Sequence, residues 1–98
     1  MYEIRRTDAF SSWLDRLRDA RARVRILARL DRASEGNLGD TRVIGEGVSE
    51  FRIDYGPGYR VYYTRQRKTI VVLLVGGDKS TQAKDIRRAI QLARDLDE

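Results

Sequence analysis

Five polar residues in the second half of the chain have the types and spacing for chemistry: Arg52 with Asp54, Arg60 with Tyr62, and Lys79 after Gly76-Gly77-Asp78. Side chains two apart on a strand share a face. Phe51, Ile53 and Tyr55 alternate with the first pair, and Tyr59, Val61 and Tyr63 with the second. If those apolar residues bury against helices, the polar four project from the opposite, open face. Lys79 leaves the end of a third strand near the same surface. Arginine forks match paired phosphate oxygens, so an open face bearing two arginines, a lysine and a tyrosine suits a polyanion.

The chain has no histidine and no cysteine. That removes disulfides, thiolate metal sites, the commonest metal ligand and every Ser–His or Cys–His arrangement. Acid–base work must fall to Asp, Glu, Lys, Arg or Tyr, and neither a metal nor a small-molecule cofactor is expected. Its 98 residues carry 20 basic and 15 acidic side chains, a formal charge of +5, with a pI near 10.0. This reads as one domain, residues 1–98, whose partner is nucleic acid or an acidic protein. No apolar run reaches the ~18 residues that span a bilayer, and the N-terminus lacks a signal-peptide core. The expected compartment is the cytoplasm, with no membrane partner.

The elements that must hold these residues follow from periodicity. Tyr2 to Arg5 alternates as a short first strand. Thr7 or Asp8 can cap a helix with a stripe at Phe10, Trp13, Leu14 and Leu17. A second stripe runs through Val24, Leu27, Leu30 and Ala33, widened by Ile26; Asp19 can break the chain and cap the second of two antiparallel helices, and one uninterrupted helix is the alternative because no Gly or Pro intervenes. Seven arginines fall between Arg16 and Arg32. They read either as a solvated face balanced by nearby acids or as phosphate contacts that position without reading sequence. After the polar loop Ser34–Thr41 comes a short strand at Arg42-Val43-Ile44. Two meander strands follow, joined by Gly56-Pro57-Gly58. The charged turn Arg65–Lys68 leads into Ile70–Val75, an apolar run expected to be covered on both faces. The last helix runs from about Thr81 to Asp97, with Ile86, Ala89, Ile90, Ala93 and Leu96 as its core stripe. It covers the same face as the first two helices or lies across the end. The order β, α, α, four strands, α predicts an α+β fold: a mainly antiparallel sheet with an N-terminal helical hairpin and a C-terminal helix.

This order resembles the RelE/ParE toxins of bacterial toxin–antitoxin modules, and is most similar to the HigB-like "addiction module killer protein" branch. The resemblance is carried by FRIDYGPGYRVYY (Phe51–Tyr63), LLVGGDKSTQ (Leu73–Gln82) and DIRRAIQLA (Asp85–Ala93), with FSSWLDRLRDARAR in the first helix. It implies a RelE-like fold and a cognate antitoxin that silences the toxin. For RelE-like and HigB-like members it implies cleavage of mRNA in the ribosomal A site. For ParE-like members it implies inhibition of DNA gyrase without nuclease activity, so the site must decide. RelE-like cleavage groups match Arg52, Arg60 and Lys79. The family's helical tyrosine has no match in Lys84-Asp85-Ile86, and a second strand lysine corresponds to Asp54, reversing the charge.

Cleavage by 2′-hydroxyl attack needs a base, an acid and cations around the crowded phosphorane. Arg52 and Arg60 are expected to hold the scissile phosphate, with Lys79 assisting proton transfer or phosphate binding. Asp54 and Asp85 are the candidate acid–base carboxylates. Tyr62, expected to be exposed, is the stacking candidate, and Arg65, Lys68 and Gln82 are further RNA contacts; Tyr55, Tyr59, Tyr63 and Trp13 read as core. An ion-pair lattice of Arg52 with Asp54 is the non-catalytic alternative. Gly77-Asp78-Lys79-Ser80-Thr81 is not a P-loop, because aspartate stands where a glycine must precede the lysine. It reads instead as a helix start, capped by Ser80 or Thr81 or open to an anion.

Overall fold

The computed structural model describes residues 1–96; Asp97, expected at the end of the last helix, lies outside them. Local capping sets the first elements. Strand β1 (Glu3–Arg6) ends at Thr7, whose hydroxyl accepts from the Phe10 N–H at 3.0 Å and starts helix α1 (Asp8–Arg16). Asp19 accepts from the N–H groups of Arg21 and Ala22 at 3.0 and 3.3 Å and starts α2 (Ala20–Ser34). Strands β2 (Thr41–Gly45), β3 (Val48–Ile53), β4 (Tyr59–Gln66) and β5 (Ile70–Asp78) follow. A 3-10 turn (Lys79–Thr81) then leads into α3 (Gln82–Leu96).

The sheet order is β1-β5-β4-β3-β2. β1 runs parallel to β5, and every other neighbour is antiparallel. The expected order of elements and the α+β, mostly antiparallel architecture are present. β5 is covered on both faces as its apolar run requires: Val71 and Leu73 enter one core, Val72, Leu74 and Val75 the other. A bulge explains how Leu74 and Val75, adjacent in sequence, serve the same core. Tyr62 pairs with Val75 and Tyr63 with Leu73, which leaves Leu74 as the extra residue.

Helices α1 and α2 cover the face carrying Phe51, Val61 and Tyr63, with Phe10, Leu14, Ile26 and Leu30 packed against it. The buried stripe of α2 is Ala22, Ile26, Arg29, Leu30 and Ala33. Val24 and Leu27, expected in that stripe, are 66% and 38% exposed. The helix is rotated from the purely apolar reading because a satisfied arginine occupies a core position.

The larger correction concerns α3. It lies on the opposite face, where Ala89 and Ala93 are buried with Val48, Tyr62, Val72 and Leu74. The face bearing Arg52 and Arg60 is therefore open only at one end; its middle is core.

A candidate phosphate-binding depression

Arg52 on β3 and Arg60 on β4 are cross-strand partners, and Arg60 faces Gly77 on β5. On the side away from Phe51 and Val61, the pair sits beyond the cover of α3. The β3–β4 turn closes this end of the sheet. Gly58 takes φ +81°, a left-handed conformation natural to glycine, and its amide donates to the Tyr55 carbonyl at 3.1 Å. A Cβ at Gly58 would lie 3.4 Å from Arg60 Nη1 and 3.6 Å from Lys79 Cβ. The two cations thus flank one bare stretch of backbone. Arg52, Arg60 and Lys79 line a single depression of about 390 Å³, together with Asp40, Asp54 and the Gly56-Pro57-Gly58 turn.

Each cation is held differently. Arg52 Nε and Nη2 both donate to Asp40 Oδ1, at 3.1 and 2.9 Å. That hydrogen bonding pushes the Arg52 guanidinium above its ordinary value, so it stays charged. The acid paired with Arg52 is Asp40, not the Asp54 of the expected ion-pair lattice. Such an exposed pair is weak, and an incoming phosphate can displace the carboxylate. Arg60 is half-buried; Nη1 donates to the Tyr59 carbonyl at 3.1 Å, and Nε is buried without a hydrogen-bond partner among the described residues. Lys79 is exposed.

Asp40 is positioned by Arg29, one of the arginines expected on a solvated or phosphate-contacting face. Arg29 is 8% exposed. Its guanidinium donates to the carbonyls of Arg52 at 2.7 Å, Leu38 at 3.0 Å and Asp40 at 2.6 Å. Burial pulls it below its ordinary value, and Asp40 opposes that pull. Arg29 fastens α2 to both the loop before β2 and the backbone of β3, beside the depression. An arginine at core spacing, three residues after Ile26 and four before Ala33, was the available signal.

Residues 12–97 match the family model described as Phage derived protein Gp49-like (DUF891). The chain belongs to this Gp49-like family. It is a RelE/ParE-like toxin family of toxin–antitoxin modules. A protein of Haemophilus influenzae (strain ATCC 51907 / DSM 11121 / KW20 / Rd), described as "Uncharacterized protein", is 49% identical over 94 residues. The match covers 96% of this chain and 95% of that relative.

Several residues expected at the site of this Gp49-like protein lie elsewhere. Tyr62 is fully buried beneath α3, so it cannot stack on a base. Its hydroxyl has no hydrogen-bond partner among the described residues, and burial, with Glu50 and Asp85 nearby, pushes it well above its ordinary value. Asp85 is 7% exposed, sits against Gly77 and accepts from Thr81 Oγ1, away from the depression. It is not placed for acid–base work there. Gln82 donates to the buried carboxylate of Glu50 at 3.1 Å, tying the start of α3 to β3. Arg65 and Lys68 are exposed but stand towards the other end of β4, roughly 16 Å along a strand at 3.3 Å per residue. Arg65 lies over the Tyr2 ring, 5.0 Å from its centroid.

Asp54 is exposed on the rim of the depression. The helix cap is Asp78, earlier than expected because the 3-10 turn precedes α3. Its carboxylate accepts from the Ser80 N–H at 2.8 Å and from the Ser80 hydroxyl, and these bonds hold it below the ordinary carboxylate value. Tyr59 and Tyr63 are buried, while Tyr55 and Trp13 are half-buried and pack against that core. Among the described residues no cluster suits a metal ion, and no helix is long and apolar enough to cross a membrane.

Proposed function

We propose that this chain is the toxin of a type II toxin–antitoxin module, a RelE-like fold of the HigB-like branch, and acts as a ribosome-dependent mRNA endonuclease. The whole chain, residues 1–98, is one toxin domain acting in the cytoplasm on mRNA in the ribosomal A site. The observation that carries this reading is the grouping of Arg52, Arg60 and Lys79 around one depression open to solvent. Membership of the Gp49-like family supports it.

In the proposed reaction the 2′-hydroxyl oxygen bonds to phosphorus and the bond to the 5′-oxygen breaks. Arg52 and Arg60 take the non-bridging oxygens, Arg52 exchanging Asp40 for the phosphate. Charge builds on those oxygens in the phosphorane, so their donors bind the transition state more tightly than the ground state. Asp54, on the rim, accepts the 2′-hydroxyl proton. Lys79, exposed beside Gly58 and Arg60, donates to the leaving 5′-oxygen. A buried Asp85 and a buried Tyr62 take no part. The ribosome presents the strand in the conformation that the reaction requires, and a cognate antitoxin with acidic residues neutralises the basic surface.

The test is induction of the chain without its antitoxin. Primer extension on cellular mRNA should show cuts in register with codons, absent for Arg60→Ala. Filamentation and DNA damage with intact mRNA would instead identify a ParE-like gyrase inhibitor. Normal growth would make the chain a binding module.

A further inference from the structure

β5 runs past its outer neighbour. β1 pairs with it only as far as Leu73, so among the described residues Val75–Asp78 have no strand on that side. The resulting notch is a groove of about 400 Å³. Its floor is Gly76 and Gly77, one wall is the end of α1 with Trp13 and Arg16, and the other is the start of α3 with Lys84 and Arg88. The floor must be bare. A Cβ at Gly76 would lie 2.2 Å from the Trp13 ring, and one at Gly77 would lie 1.8 Å from Asp85 Oδ2.

The charges in the groove are unequal in availability. Its two carboxylates are engaged internally, Asp78 by Ser80 and Asp85 by Thr81. Arg16, Lys84 and Arg88 are all exposed, and none forms an ion pair among the described residues. Cations beside an aromatic ring along a groove form the usual platform for a single nucleic-acid strand. The groove and the depression share one stretch of chain. Gly77 in the floor pairs with Arg60, and Asp78 leads directly to Lys79.

We propose that this groove is a second nucleotide subsite, holding the phosphate of a neighbouring nucleotide with Arg16, Lys84 and Arg88 and its base beside Trp13. The subsite rests on the RNA reading of the depression and extends the strand's path around the β5–α3 corner. It also explains why basic residues of α1 and α3 gather at a corner distant from Arg65 and Lys68.

Trp13 is the chain's single tryptophan, so its fluorescence reports on the groove directly. The experiment titrates the purified chain with a short single-stranded RNA oligonucleotide and follows that fluorescence at several salt concentrations. The wild type should show saturable quenching. In Arg16→Gln/Arg88→Gln, both changes being exposed, the magnitude of the slope of log K against log salt should fall by about 0.7, the value of one phosphate contact on a single strand. Unchanged quenching and slope in the folded double variant overturn the subsite. Quenching by polyglutamate but not by RNA also overturns it, and makes the groove a seat for an acidic protein. Codon-register cleavage is scored separately. Its loss from the wild type would remove the nuclease reading while leaving RNA-dependent quenching of Trp13 to stand or fall alone.

Discussion

Replacing Arg60 by alanine should separate activity from stability. Among the described residues the guanidinium makes one hydrogen bond, Nη1 to the Tyr59 carbonyl, and leaves Nε buried and unpartnered. Losing this charge-assisted bond costs about 1.5–3 kcal/mol, and removing the orphaned donor returns about 1–3 kcal/mol. The packed stem of the side chain is lost as well, which costs stability. These effects oppose one another, so the urea midpoint should move by an amount equivalent to less than about 1 kcal/mol. The chemistry has no such compensation. A donor aimed at a developing oxyanion contributes roughly 3–4 kcal/mol, a loss of about 10²–10³ in rate. Arg60→Met, which keeps most of the apolar stem, should show the same loss of activity with a still smaller stability change. The assay pairs urea unfolding of the purified variants with codon-register primer extension after induction. A variant that folds normally and still cleaves at the wild-type rate would refute the reasoning that joins Arg60 to the phosphate.

Other outcomes follow from individual contacts. Tyr62→Phe removes a buried hydroxyl that has no partner, so it should be neutral or stabilising by up to about 1 kcal/mol in urea unfolding and leave growth arrest intact. Arg29→Ala strips the donor from three carbonyls and should destabilise by about 2–3 kcal/mol, with activity falling further as the Asp40 loop loosens. Hydrogen bonds from Ser80 hold the Asp78 carboxyl below its ordinary value. Its contribution to stability is therefore complete above the unfolded pKa, about 3.9, and is lost as pH falls through the depressed folded value. Thermal unfolding followed from about pH 5 downward should show a shallower acid dependence in Asp78→Asn than in the wild type.

Much of this was legible because it depends on neighbours in sequence. The two-residue period of a strand turns Arg52 and Arg60 away from Phe51, Ile53, Val61 and Tyr63, whatever packs where. The Gly56-Pro57-Gly58 turn makes the two strands adjacent, and the apolar run Ile70–Val75 carries Lys79 to the same end of the sheet. Order of elements, helix caps at Thr7 and Asp19, and the convergence of the three cations all rest on such short-range rules.

What the period could not decide is which length of that polar face stays wet. Arg60 and Tyr62 share a face by the same rule that unites Arg52 with Asp54, yet Tyr62 is sealed and Arg60 only half-covered. The difference is where α3 docks, and that depends on Ala89 and Ala93 meeting Val72, Leu74 and Tyr62 from a distant part of the chain. Asp85 is withdrawn from the site by the same docking. Arg29 looks like any other arginine of α2 until three carbonyls from the loop before β2 and from β3 surround it. Asp40 becomes the partner of Arg52 only when that loop is pinned. A carboxylate or guanidinium has no fixed role in a linear sequence. Burial and the partners that long-range contacts bring decide whether it holds the fold or faces a phosphate.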